Sequence, residues 1–150
     1  MYKHILVAVD DSQTSRKALD EAIALALLHN AKLDIAHAVD ESLLQAFNRH
    51  GAVLAHTEEL EQALLDSGES LLAESVGKAR DSGIEATHRL LASPDQHAAD
   101  QIAHAVEVSG ADLLVMGSHG RRGMRRLLLG SVAENVLRKV SISVLIVRAH

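Results

Sequence analysis

The sequence predicts a single α/β domain, residues 1–150, in which a parallel β-sheet is covered by helices on both faces. Three observations carry that expectation. Short apolar runs alternate with longer amphipathic segments along the whole chain, as βαβ units do. Residues 5–9 and 113–116 are apolar at every position, as strands covered on both sides require. Asn30, Gly83 and Gly110 stand where helical patterns stop, which is where a left-handed residue ends a helix.

The elements follow in order. A first strand, residues 5–9, is stopped by Asp10, Asp11 and Ser12. Ser12 or Ser15 can cap a helix that carries Ala18, Ala22, Leu25, Ala26 and Leu28 at helical spacing. Residues 32–39 form a second strand, with Leu33, Ile35 and Ala36 apolar. Strand, helix and strand of this length make a right-handed unit with parallel strands. Residues 40–55 carry the least pattern, with a short helix expected over 42–48. A long helix over 56–81 places Leu60, Leu64, Leu71, Leu72 and Val76 on one face. A third strand over 84–91 alternates weakly. Ser93, Pro94 and Asp95 start the next helix, with Pro94 in its first turn. Its buried side is expected to be Ile102, Ala103, Ala105, Val106 and Val108. The fourth strand, a helix over 132–139 and a last strand over 144–147 complete five strands and four helices.

Composition narrows the function. Apolar residues are 47% of the chain and nearly all aliphatic, with Tyr2 and Phe47 the only aromatics, so a bound base would be held by aliphatic side chains and backbone. A formal charge of −5 argues against a general nucleic-acid binder. The absence of cysteine excludes disulfides, thiol catalysis and thiolate metal sites. With no signal segment and no transmembrane run, a cytoplasmic protein is expected. No two of the ten histidines stand four apart, so no protein-only metal site is expected.

The chemistry concentrates in residues 111–140. Strand four runs into Gly117, Gly120 and Gly123, which would let the backbone turn with positive φ and approach a ligand closely. Gly130 and Ser131 then open a helix, with Ser131 as its cap. The amides of Ser131, Val132 and Ala133 lack intrahelical acceptors and attract anions. Ser118, His119 and the loop amides add donors, and the forks of Arg121, Arg122, Arg125 and Arg126 suit phosphate oxygens. One arginine at most is expected on phosphate, with Arg121 nearest the glycines. No Gly-Lys-Ser/Thr follows, so this is not a Walker loop. The nine residues between Gly120 and Gly130 are too many for the dinucleotide fingerprint.

That spacing resembles the nucleotide-binding signature of the universal stress protein family, in its ATP-binding subclass. VAVDDS near the start, HAVD after the second strand and SVLIVRA at the end extend the resemblance over nearly the whole chain. It implies sheet order 3-2-1-4-5, a Rossmann-like arrangement of the adenine nucleotide alpha hydrolase-like kind. Strands one and four would then be neighbours at a switch point, where Asp10 and Met116-Gly117 face one crevice. The resemblance also places adenine against the backbone near Ala38. Asp10 would bond a ribose hydroxyl or the loop backbone.

The leading expectation is an ATP-binding regulatory protein, with magnesium arriving on the nucleotide. A slow ATPase using Asp10 and His119 is the alternative. A nucleic-acid clamp at the RRGMRR segment is a third reading, and it lacks aromatic platforms. The resemblance adds a protein partner, such as a membrane transporter. The last strand, over 143–147, would lie at a sheet edge with no proline and no inward charge. Antiparallel self-pairing would bury it in a homodimer, as the resemblance also implies. ATP ordering of the loop could bury Leu127, Leu128 and Leu129 between dimers and build a tetramer.

Overall fold

The computed structural model describes residues 1–39, 54–93, 95–120 and 129–148. Among these, five strands alternate with four helices. They are β1 (His4–Ala8), α1 (Gln13–His29), β2 (Lys32–Ala38), α2 (Leu54–Asp81), β3 (Ala86–Leu91), α3 (Ala98–Ser109), β4 (Leu113–Gly117), α4 (Ser131–Lys139) and β5 (Ser143–Val147). The sheet is parallel with order β3-β2-β1-β4-β5, as expected. The short helix expected over 42–48 lies outside the described residues.

Side-chain alternation along the central strands explains why both faces need cover. Ile5 and Val7 of β1, with Leu113 and Val115 of β4, point into one core with α1 and α2. Leu6, Leu114 and Met116 point the other way, against Ala99, Ile102 and Val106 of α3 and Ala133 and Val136 of α4. Ile5, Leu6, Val7, Leu114 and Val115 are fully buried. A strand between two cores has no polar face, which is why these runs are continuously apolar.

Helix ends follow local chemistry. Ser12 caps α1, its Oγ accepting from the Ser15 amide at 3.2 Å. Asn30 turns left-handed at φ 52°, and the Ala31 amide returns to Ala26 O at 2.9 Å. Gly83, at φ 95°, ends α2 in the same way, with Ile84 N–H reaching Ala79 O at 3.0 Å. That bond holds Ile84 to the helix end, so β3 begins at Ala86 and not at 84.

Three helix expectations are corrected. α3 begins at Ala98 with His97 as cap, not at residues 93–95, because residues 95 and 96 turn before the helix opens. Pro94 itself lies outside the described residues. Leu28 and Val108, expected to be buried, are 77% and 61% exposed, because each stands one position off the apolar stripe of its helix. The cap of α4 is Gly130, not Ser131, which is the first helical residue and exposed.

One buried charge went unforeseen. Asp34 on β2 is completely buried among apolar neighbours and pairs with the Nε of Arg89 on β3. Asp112 anchors the other end of the sheet, accepting from the amides of Lys3 at 2.9 Å and His4 at 3.0 Å. Burial works against its charge, but those two amides, its own amide and the charge of His4 together outweigh it and hold the carboxyl below its usual range.

Candidate functional site

The strand order makes β1 and β4 neighbours whose helices leave on opposite faces. Their carboxyl ends open a cavity of about 700 Å³. Ala8, Val9, Asp10, His37, Ala38, Met116, Gly117, Ser118, His119, Gly120, Gly130, Ser131, Val132 and Ala133 are among the residues that line it. Every described residue expected at the site is therefore on its wall. Arg121, Arg122 and Gly123, with Arg125 to Leu128, lie outside the described residues.

Asp10 is fixed from both sides. Its amide donates to Ser15 Oγ at 2.7 Å, and its Oδ1 accepts from the Ser12 amide at 2.7 Å. The other oxygen, Oδ2, faces Gly120, where a Cβ would stand 3.0 Å away. An acid held this way has one oxygen committed to the turn and one toward the loop.

The loop after β4 is tied down across long sequence distances. Thr14 Oγ1 and Ser12 Oγ donate to His119 O, the latter at 3.4 Å. Ser118 N–H donates to Val147 O at 2.9 Å, and Gly130 N–H donates to Ser118 O at 2.7 Å. The start of the loop and the start of α4 thus touch backbone to backbone.

Gly117 and Gly120 serve close approach, which corrects the expectation of positive φ at these two; Gly123 lies outside the described residues. Among the described residues only Gly83 and Gly110 are left-handed glycines. A Cβ on Gly117 would stand 2.6 Å from Thr14 Oγ1 and 3.1 Å from the Thr14 carbonyl carbon. One on Gly130 would stand 3.1 Å from Ser118 O and 3.4 Å from His119 Cα.

At α4, the first intrahelical bond runs from Glu134 N–H to Gly130 O at 3.0 Å. The three preceding amides, of Ser131, Val132 and Ala133, have no acceptor in the helix. Gly130, as the cap residue, offers them no side chain, and free amides of this kind attract anions. His119 has Nδ1 bonded to Ser118 Oγ at 3.0 Å, while its Nε2 is buried with no partner among the described residues. Among the described residues no group of three or more His, Asp or Glu is placed to hold a metal ion.

Sequence reasoning missed Ser12 and Thr14 as loop clamps, although the helix start after β1 was their signal. It also missed His37 and the wall that α2 supplies at Leu64 and Ser67.

A sequence model described as the universal stress protein family matches residues 1–148. The chain is 32% identical over 151 residues to universal stress protein YxiE of Bacillus subtilis, covering 99% of this chain and 100% of that one. The solved structure of MJ0577 superimposes with TM-score 0.84 at 27% identity, covering 100% of this chain and 98% of that one. Its source is Methanocaldococcus jannaschii. A universal stress protein solved in complex with cAMP superimposes with TM-score 0.69 at 27% identity, covering 99% of both chains.

Proposed function

Since the chain belongs to the universal stress protein family, we propose that it binds ATP in the cavity above β1 and β4 and that the nucleotide sets its assembly or its affinity for a protein partner. The observation that carries this reading is the backbone contact between Gly130 and Ser118, which holds the first turn of α4 against the loop on the cavity wall that Asp10 also lines. Amides and a helix dipole attract phosphates, and a fixed carboxylate accepts from a ribose hydroxyl. Adenine would lie by Ala38, in a wall of aliphatic side chains and backbone. The cAMP complex of a relative supports an adenine nucleotide as the ligand class. Magnesium would arrive on the phosphates, with the Asp10 carboxylate close by at Gly120.

The environment of His119 supports a holding role over a catalytic one. Its Nδ1 is engaged by the Ser118 hydroxyl, whereas a general base is oriented by a group that raises its basicity, such as a carboxylate. The assembly that the nucleotide would set is a homodimer through the edge strand β5, with a tetramer on ATP binding. The partner would be a protein such as a membrane transporter. Among the described residues no helix is long and apolar enough to cross a membrane.

Mass spectrometry of the small molecule that co-purifies with the native protein tests the reading. An adenine nucleotide is the expected finding, and a ligand without phosphate would refute the amide cradle. Rapid ATP turnover lost on His119→Ala would replace the regulatory reading with an enzyme.

A further inference from the structure

His37 lies at the carboxyl end of β2 and is 8% exposed. Its Nδ1 stands 2.8 Å from Val9 O, the carbonyl just before Asp10. A carbonyl oxygen only accepts, so Nδ1 carries the proton and donates. In the neutral ring Nε2 is then an acceptor and nothing else. The opposite edge of the ring packs on α2. A Cβ built on Gly68 would stand 2.9 Å from His37 Cδ2 and 3.5 Å from Nε2, with Leu90 Cδ1 at 2.7 Å. Gly68 lets the helix close on the imidazole, which sits between α2 and the Val9 carbonyl. The ring lines the cavity, and Nε2 has no hydrogen-bond partner among the described residues.

We propose that His37 is a specificity-determining residue of the nucleotide site, presenting Nε2 as a fixed acceptor to an N–H or O–H donor of the ligand. This deepens the ATP-binding reading and rests on it. An acceptor that the bound ligand covers discriminates by the cost of leaving it unpaired, so a ligand lacking the matching donor is rejected. ATP offers such donors from two sources, the exocyclic amine of adenine and the ribose hydroxyls.

Two substitutions separate the roles of the two nitrogens. The amide nitrogen of asparagine falls near the position of Nδ1, so His37→Asn keeps the bond to Val9 and removes the cavity acceptor. The longer glutamine reaches the position of Nε2, so His37→Gln keeps a polar group toward the cavity. Calorimetry compares both variants and the wild type with ATP, purine riboside triphosphate, 2′-deoxy-ATP and 3′-deoxy-ATP.

The expected result is that His37→Asn binds ATP about tenfold more weakly, the scale of one buried hydrogen bond, while His37→Gln stays within about threefold of wild type. One analogue should bind the wild type about tenfold more weakly than ATP does, yet bind His37→Asn no differently from ATP. That analogue identifies the donor. Equal ATP affinity in His37→Asn and wild type overturns the proposal. So does a uniform loss over ATP and all three analogues, which would mark a purely structural histidine. A wild type that binds no ATP refutes the nucleotide reading itself, and this outcome is distinct from a failure of His37 alone.

Discussion

Gly130→Val perturbs the contact on which the phosphate cradle depends. Gly130 sits at φ −62° and ψ 157°, a conformation open to any residue, so backbone strain is not the issue. Space is. The new Cβ would stand 3.1 Å from Ser118 O and 3.4 Å from His119 Cα, and both are backbone that cannot swing aside. The start of α4 and the loop must separate, which strains the 2.7 Å bond from Gly130 N–H to Ser118 O. Losing that bond costs about 1 kcal/mol. Valine also caps a helix less well than glycine, by roughly another 0.5–1 kcal/mol. The sum lowers the melting temperature of a domain this size by about 3–8 °C. Binding should suffer more, because the Ser131, Val132 and Ala133 amides move together; a loss of tenfold or more in ATP affinity is expected for two misdirected amide bonds. Gly83→Ala is the control. It is strained at φ 95°, with nothing within 4 Å, so it should cost about 1 kcal/mol and leave ATP affinity unchanged. Calorimetry and thermal melts on both variants make the comparison. Wild-type ATP affinity in Gly130→Val would refute the cradle, and equal loss in Gly83→Ala would show that affinity only follows stability.

Three further outcomes are expected. Asp112 has a lowered pKa in the folded chain, so its contribution to stability is present above the ordinary aspartate value near 3.9 and is lost as pH falls through the folded value; urea melts of Asp112→Asn should lack that acid-side slope, and an identical slope in both proteins contradicts the anchoring of Lys3 and His4. Arg89→Leu leaves the fully buried Asp34 unpaired and should cost about 3 kcal/mol, while Asp34→Leu/Arg89→Leu recovers most of it, as thermal melts would register; a double variant as unstable as the single would mean that the pair itself is needed. Val144→Lys/Ile146→Lys on the edge strand β5 should sediment as a monomer with a lowered melting temperature, because both side chains also pack on the core under α3 and α4, and a persistent dimer places the interface elsewhere.

The parts of the fold that were legible are those where one short stretch carries its own reason. β1 and β4 declare themselves because strands between two cores are apolar at every position. Asn30 and Gly110 declare helix ends because their left-handed φ is a local demand. The carboxyl-end crevice followed from the strand order that the family resemblance implies, which puts Asp10 and Gly117 together. What stayed hidden depends on distant partners. Asp34 reads as a polar strand position until Arg89 arrives from 55 residues away. Thr14 looks like an ordinary first-turn residue until His119 O, 105 residues on, accepts from it. Ser131 looked like the better cap by side chain, but the approach of Ser118 O gives the cap position to glycine. His37 was passed over within an apolar strand, because its role depends on Val9 and Gly68, from two other elements.

The most direct test of the account is equilibrium titration of ATP, ADP and GTP into the wild-type protein stripped of co-purified ligand. One ATP per chain is expected, with ADP weaker because it offers one phosphate fewer to the amides. GTP should be weaker still, because the donor and acceptor pattern of guanine is reversed at the position of the exocyclic amine. Equal affinity for ATP and GTP would remove the adenine pocket, and no heat or saturation with any of the three would contradict nucleotide binding altogether.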